Sequence, residues 1–470
     1  MSDDAFSLLQ RPVREQLGKL EIEEASDIQR LAIPPILEGK NALLIAPTGT
    51  GKTLAAVLPV FDMFVAARSR NETRGISILY VTPLRALNRD ILRRLSEIGA
   101  DLGIKVQVRH GDTPTATRTL QARAPPDMLI TTPETLQAIL PGKLMRQHLR
   151  HVRWVVVDEI HELATDKRGI QLAIGLERLR NLTSQDFLRI GLSATIGDEQ
   201  RIAKFLAGSD RDAVIVKSTE GRGFEVKVDY VSPSSTDRRQ SEEFSVPPAS
   251  IGRARRIAQL IEERNSVLVF TNTREHAEAV GSQLTAIDSK LPVRVHHGSL
   301  SKEIREEVER DFQGGEIKAV VCTSSLELGI DIGSVDFIIQ YMSPRQATRL
   351  IQRIGRSEHR LRGVAKGLIM GASLDDILES AVIARNAKKE KLEPSVLHEN
   401  ALDVLAHQIA GLILDLRRFT VGEAFEIVKR AYPYRNLTPE AFMSVVKQLH
   451  TGRVITVQED VLRPRFPNTF

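Results

Sequence analysis

The sequence predicts an α/β protein: two parallel-sheet lobes followed by a small helical domain. Three observations predict it. Short β-branched runs alternate with longer amphipathic stretches from residue 40 to about 370, the rhythm of stacked strand–helix–strand units. The runs fall into two sets, and about ten buried strands would be a large number for one sheet, so two sheets are expected. Past residue 395 the strand rhythm gives way to a helical one, with Leu402, Leu405, Ile409, Leu412, Ile413 and Leu416 spaced to share a face.

The first set of strands is expected at Ala42 to Ala46, Ser77 to Val81, Met128 to Thr131, Trp154 to Val157 and Leu188 to Leu192. The second is expected at Ser266 to Phe270, Val293 to His296, Ala319 to Cys322, Phe337 to Gln340 and Gly367 to Met370. Between the sets, the polar, proline-punctuated stretch Ser232 to Ser250 reads as an exposed loop. In the tail, Thr420-x-x-Glu423 is a capping box, and Thr438-Pro439-Glu440 supplies an N-cap, a first-turn proline and an acid. Gly452 ends that helix, and Val454 to Val457 with Val461 to Leu462 read as a hairpin. Three helices and a hairpin make a winged helix. The expected domains are therefore residues 1–213, 214–390 and 391–470.

Composition narrows the chemistry. Cys322 is the one cysteine, which excludes a disulfide framework and a four-cysteine metal cluster within the chain. No apolar run approaches the roughly 18 residues that span a bilayer, and Met1-Ser2-Asp3-Asp4 lacks the order of a signal peptide, so a soluble, cytoplasmic protein without a membrane partner is expected. A net charge of +5 suits a polyanionic partner, and 4% aromatic residues favour a grip on sugar-phosphate over stacking on every base.

The segment Ala46-Pro-Thr48-Gly49-Thr50-Gly51-Lys52-Thr53 follows an apolar strand and opens an apolar helix, the context of a phosphate-binding loop. Its glycines let backbone N–H groups curl round phosphates, the helix start favours their charge, Lys52 reaches the β and γ phosphates, and Thr53 offers a hydroxyl to Mg²⁺. Trp154-Val-Val-Val-Asp158-Glu159-Ile-His161 delivers two carboxylates at the end of another strand, where open α/β sheets bind ligands. Asp158 would hold Mg²⁺, and Glu159 would orient and deprotonate a water. A zinc-protease motif is excluded, because Thr165 stands where a second histidine is needed after His161-Glu162. Trp154 and Cys322 read as core packing.

With these residues placed, the sequence resembles the superfamily 2 helicases of the DEAD/DEAH type, which implies two tandem RecA-like lobes, ATP with Mg²⁺, and single-stranded, tailed or forked DNA or RNA as partner. Ala46, where the usual phosphate loop has glycine, is a departure common to that superfamily. By resemblance, Gln29 reads adenine, while Pro83-Leu84-Arg85-Ala86-Leu87 and Thr131-Thr132-Pro133-Glu134 grip the strand. Ser193-Ala194-Thr195, with His161, couples hydrolysis to movement. In the second lobe Thr271, in Phe270-Thr271-Asn272-Thr273-Arg274, and Thr323, in the segment running to Gly329 and Asp331, are further strand and nucleotide contacts. Gln352-Arg353-Ile354-Gly355-Arg356 supplies arginines able to face the first lobe's nucleotide. After Arg356 the family usually has a small residue and then glycine, whereas here Ser357 is followed by Glu358, whose carboxylate either competes for an arginine or points into solvent. Asp158-Glu-Ile-His-Glu-Leu163, Arg168-Gly169 and Asn400-Ala-Leu-Asp-Val-Leu-Ala-His-Gln408 resemble the Lhr (large helicase-related) proteins and the archaeal Ski-like helicases. Lhr proteins continue into further domains, so an end at Phe470 implies a short member or a truncated chain, leaving room for further domains or protein partners beyond it.

The resulting expectation is an ATP-driven helicase or translocase moving 3′ to 5′ on single-stranded nucleic acid, in DNA repair or recombination or in RNA metabolism. Two rivals remain: a remodeller that moves without separating strands, and an ATP-gated nucleic-acid binding module. The winged helix is expected to brace the motor. Arg417, Arg418, Lys429, Arg430 and Arg435 face either phosphate or solvent.

Overall fold

The computed structural model describes residues 4–47, 49–83, 87–218, 223–327, 333, 335–357, 364–416 and 419–465. The chain divides into two compact units, residues 1–46, 51–219 and 394–470 in one, and 47–50 with 220–393 in the other.

The first unit is built on β1 (Ala42–Ile45), β2 (Ile78–Val81), β3 (Val106–Arg109), β4 (Met128–Thr131), β5 (Trp154–Val157), β6 (Leu188–Ser193) and β7 (Val214–Lys217). They form one parallel sheet in the order β3-β4-β2-β5-β6-β1-β7. β1, β2, β4 and β5 are buried at every position, as expected of strands covered by helices on both faces. Trp154 packs edge-on to Phe64 in that core. Strand β7 pairs with β1, so the first sheet extends beyond the boundary expected at residue 213.

The second unit carries β8 (Phe224–Tyr230), β9 (Val267–Phe270), β10 (Val293–His296), β11 (Ala319–Cys322), β12 (Phe337–Tyr341) and β13 (Ala365–Gly371). This sheet is also parallel, ordered β10-β11-β9-β12-β13-β8. The stretch expected to be a loop at Ser232 to Ser250 instead holds the helix Ser235–Phe244 and the start of the helix Pro248–Glu262. Ser234 and Asp237 form a capping box, and Arg255 of the second helix donates to Asp237 and Gln240 of the first. A helix of such polar composition survives because its ends and its neighbour satisfy it, not because it buries an apolar stripe.

Residues 402–464 form the winged helix: helices Leu402–Leu416, Val421–Arg430 and Pro439–Thr451, then β14 (Phe419–Thr420), β15 (Ile455–Gln458) and β16 (Val461–Pro464), antiparallel in the order β14-β16-β15. Its core is continuous with that of the first lobe. Leu405, Ile409, Leu412 and Ile413 lie in one continuous apolar cluster with Leu172, Leu176 and Leu179 of the helix Lys167–Leu182, whereas Leu402 is exposed. At this junction Arg178 makes a bidentate pair with Asp415, at 2.7 and 3.0 Å, and donates to Gln137 and Gln408. Arg430 bonds Asn181 and Arg435 bonds Glu399, so both have protein partners where sequence left phosphate or solvent.

Candidate nucleotide and nucleic-acid site

All strands of the first sheet run the same way, so their carboxyl ends share an edge. Register places Ile45 beside Ser193, and Val81 beside both Val157 and Thr131. That edge therefore gathers the glycine-rich loop after β1, Pro83 after β2, Thr132-Pro133 after β4, Asp158-Glu159 after β5 and Ser193-Ala194-Thr195 at the end of β6. Segments far apart in sequence become one site.

In the loop, Gly51 adopts φ 89° as the N-cap of the helix Lys52–Ser69 and offers no side chain to its N–H groups. A methyl group there would also lie 2.6 Å from the Gln29 amide nitrogen, so the position suits glycine twice over. Lys52 is buried, its ammonium donating to the Ala46 carbonyl at 2.5 Å, and the Thr50 hydroxyl donates to the Pro47 carbonyl at 2.8 Å. Gln29 is buried on the helix Asp27–Leu37; its carbonyl accepts from the Ser26 N–H at 2.9 Å and its amide reaches the Gly51 carbonyl at 3.4 Å. It thus touches both a helix start and the phosphate loop.

Asp158 is buried and accepts from the Tyr80 hydroxyl at 2.8 Å and from the Glu159 N–H at 2.9 Å. Burial first, then the neighbouring Glu159 charge, pushes its pKa up to about 6, although the Tyr80 bond and the Lys52 charge pull the other way. Burial, followed by the Asp158 charge, also raises the Tyr80 phenol well above its usual range, so Tyr80 remains a donor. This set fits Mg²⁺, which takes one or two protein oxygens and fills its shell with water and phosphate. Among the described residues no cluster of three or more His, Cys, Asp or Glu side chains is arranged to hold a metal.

Glu159 sits in the left-handed region at φ 45°, ψ 43°, a conformation that costs a non-glycine residue on the order of 1 kcal/mol. The strained turn starts the short helix Ile160–Ala164 directly after the strand. His161 then stands with Nδ1 3.6 Å from the Glu159 carboxylate while accepting from the Ala194 N–H at 3.4 Å. An accepting Nδ1 places the ring proton on Nε2, beside Glu162. His161 therefore lies between the Glu159 carboxylate and the Ser193-Ala194-Thr195 segment, bonded to the latter through the Ala194 N–H. The Ser193 hydroxyl turns onto the Ala194 carbonyl, and Thr195 is half-buried.

The strand-contact candidates are less open than their motifs suggest. Pro83, Thr132 and Pro133 are buried, and the Thr132 hydroxyl caps the helix Pro133–Ile139 by accepting from Thr135. Thr271 is buried and donates to the Thr273 and Cys322 carbonyls; Thr323 is half-buried. In the second unit the Arg353 guanidinium is enclosed by Glu327, Gln340 and Asn272, and Arg356 donates twice to the Glu327 carbonyl. Gln352 is buried beside them in sequence. Thr48, Arg85, Gly329, Asp331, Glu358, Arg417 and Arg418 lie outside the described residues. Sequence reasoning missed Tyr80 and Arg178 because neither belongs to a fixed-spacing motif. Glu327, within the segment from Thr323 to Gly329, carries no role in the sequence reading, since nothing local shows that two arginines converge on it.

A phosphate loop and a strand-end carboxylate pair on one parallel sheet, with a second parallel lobe in the same chain, define the two-lobed P-loop NTPase class. The chain matches the DEAD/DEAH box helicase family over residues 26–202, the helicase conserved C-terminal domain over 252–360 and the large helicase-related protein winged helix domain over 385–464. It is 40% identical over 464 residues to the ATP-dependent helicase Lhr-Core of Methanocaldococcus jannaschii, covering 96% of this chain and 54% of that protein. A second Lhr-Core protein, from Thermococcus barophilus, is 39% identical, with 95% and 53% covered. The chain thus spans about half the length of these curated relatives. Among solved structures, helicase Lhr of Mycobacterium smegmatis, bound to single-stranded DNA and AMP-PNP, superposes with a TM-score of 0.86 at 33% identity, covering 98% of this chain and 61% of that one. The chain belongs to the superfamily 2 DEAD/DEAH-type helicases, within the Lhr group. No helix among the described residues is long and apolar enough to cross a membrane.

Proposed function

We propose that the protein is an ATP-dependent nucleic-acid helicase or translocase that moves 3′ to 5′ along a single strand, using Mg²⁺. The observation that carries this reading is the placement of His161, between the Glu159 carboxylate after β5 and the segment closing β6, on the same sheet edge as the phosphate loop. Thr53 and Asp158 would hold Mg²⁺, whose charge would offset that of the phosphates. Lys52 would leave the Ala46 carbonyl for the β and γ phosphates, and Glu159 would take the proton of the water that attacks the γ phosphorus, yielding ADP and phosphate. His161, hydrogen-bonded to Ala194, would pass a change at Glu159 to that segment. In the second lobe, Gln352, Arg353 and Arg356 would respond to nucleotide, Arg353 by fixing the Glu327 segment on which Arg356 rests.

The proposed substrate is a single-stranded or tailed nucleic acid, as the single-stranded DNA held by the M. smegmatis relative suggests. The decisive experiment measures ATP hydrolysis with matched single-stranded DNA and RNA, then unwinding of duplexes bearing a 3′ or a 5′ tail. Strand-stimulated turnover with unwinding of only the 3′-tailed duplex is expected. Turnover indifferent to both nucleic acids would overturn the reading.

A further inference from the structure

The helix Lys167–Leu182 reaches the strand-facing edge of the first sheet through one side chain. Arg168 donates from Nε to the Glu134 carboxylate at 2.5 Å and from Nη2 to the Pro83 carbonyl at 2.6 Å. Its partners stand just beyond the ends of neighbouring strands, since Val81 of β2 pairs with Thr131 of β4. Pro83 opens the segment after β2; Glu134 is in the first turn of the helix that Thr132 caps. One planar guanidinium thus spans both loops, something a lysine ammonium on its flexible stem cannot do with the same fixed spacing. Burial opposes ionisation of Glu134, but the Arg168 bond and local hydrogen bonds outweigh it and hold the carboxyl below its usual range.

The other end of this clamp is fixed as well. At Gly169, next in sequence, a methyl group would lie 1.9 Å from the Leu163 carbonyl oxygen and 3.1 Å from the Phe205 ring. Only glycine permits so close an approach. Leu163 belongs to the short helix Ile160–Ala164 that begins at Glu159 and carries His161. The Arg168 backbone is consequently held against the element that leaves the hydrolytic carboxylate, while its side chain holds Pro83 and Glu134. Asp166, the N-cap, accepts from the Arg168 N–H at 3.0 Å and sets the side chain's departure from the helix.

We propose that Arg168 is a positioning residue for strand binding: it sets the spacing between the Pro83 segment and the Thr132-Pro133-Glu134 segment and ties both to the helix that follows Glu159. This rests on the helicase reading above, in which those segments hold the strand. Arg168 acts through them and touches neither nucleotide nor water.

The test compares Arg168→Ala and Arg168→Lys with the full chain. It reads the concentration of single-stranded DNA giving half-maximal ATPase stimulation, the KM for ATP without strand, and the thermal midpoint. Arg168→Ala is expected to raise the half-maximal strand concentration at least about tenfold, as for losing charge-assisted hydrogen bonds, with strand-free turnover and KM unchanged. Arg168→Lys retains the charge and is expected to recover the thermal midpoint but less than half of the strand effect on a logarithmic scale. Full recovery by lysine would make Arg168 a simple charge contact and overturn the clamp. So would a wild-type strand dependence in Arg168→Ala, or a parallel loss of strand-free turnover, which marks a general structural role. If Arg168→Ala does not fold, the lysine variant decides alone, because a wild-type half-maximal concentration in it excludes the clamp. A wild-type protein unresponsive to any strand would instead refute the helicase reading itself, and the clamp with it.

Discussion

Removing the Asp415 carboxylate should loosen the winged helix from the first lobe by an amount the structure lets one work out. The Arg178 and Asp415 side chains are 1% and 3% exposed, so solvent cannot take over either charge. Replacing Asp415 by alanine leaves a buried guanidinium without its anion, a change worth about 3–5 kcal/mol in buried pairs. The Gln137 and Gln408 carbonyls still accept from Arg178, which argues for the lower end. With a denaturant slope of about 3 kcal/mol per molar urea, the unfolding midpoint of this unit should fall by about 1 M. Trp154 is the one tryptophan and lies in the core of that unit, so its fluorescence reports the transition. The double variant Arg178→Met with Asp415→Leu removes the fully buried pair, leaves the partly exposed Arg146, 3.6 Å from Asp415, to solvent, and should recover most of the loss. A midpoint shift under about 0.3 M for Asp415→Ala, equal to 1 kcal/mol at the same slope, or a double variant no better than the single one, would refute this account.

Four other outcomes are expected. Lys52→Ala should lose productive ATP binding in a fluorescent-nucleotide titration, whereas Glu159→Gln should still bind ATP but hydrolyse it at least about 10² times more slowly in single-turnover assays; near-normal turnover in the latter would remove Glu159 as the base. Strand affinity measured by anisotropy should fall steeply between about 50 and 200 mM salt if the grip is on phosphates. Cys322 is fully buried, and burial pushes its thiol far up, so a thiol reagent should leave it unmodified until the protein unfolds. A chain ending near residue 390 should lose stability as well as unwinding, read by circular dichroism and strand displacement, because the apolar face of the helix Lys167–Leu182 would lie bare.

What the sequence disclosed and what it withheld follow from the range over which each signal acts. The phosphate loop and the Asp158-Glu159 pair are legible because their chemistry demands particular residue types within a few positions of a strand end. The buried strands are legible because covering both faces leaves a continuous apolar run, as at Val155, Val156 and Val157. Edge strands lose that signature: β3 is only half-buried throughout and β7 has one buried residue, and neither was expected. The helix Ser235–Phe244 was read as loop because its only buried residue is Asp237; the Ser234-x-x-Asp237 cap was the local signal that could have found it. Tyr80 looks in sequence like one more strand residue, and its link to Asp158 exists only because β2 and β5 are neighbours.

The helix Lys167–Leu182 explains why the winged helix, which sequence sets apart as residues 391–470, belongs to the same compact unit as the first sheet. At its start, Arg168 holds the Pro83 and Glu134 segments. One turn further and onward, Leu172, Leu176 and Leu179 share an apolar cluster with the winged helix, and Arg178 joins Asp415 to Gln137 of the helix that Thr132 caps. A single helix therefore bears on the Pro83 and Glu134 loops at one end and on the winged helix at the other. Sequence cannot say which faces of this helix meet which partners, since those partners lie some 30 to 240 residues away. If the helix transmits between its ends, the Asp415→Ala variant, still folded below its urea transition, should also weaken strand-stimulated turnover while leaving strand-free turnover unchanged. Stimulation at the wild-type level in that variant would show that the winged helix only covers the lobe and does not brace its grip.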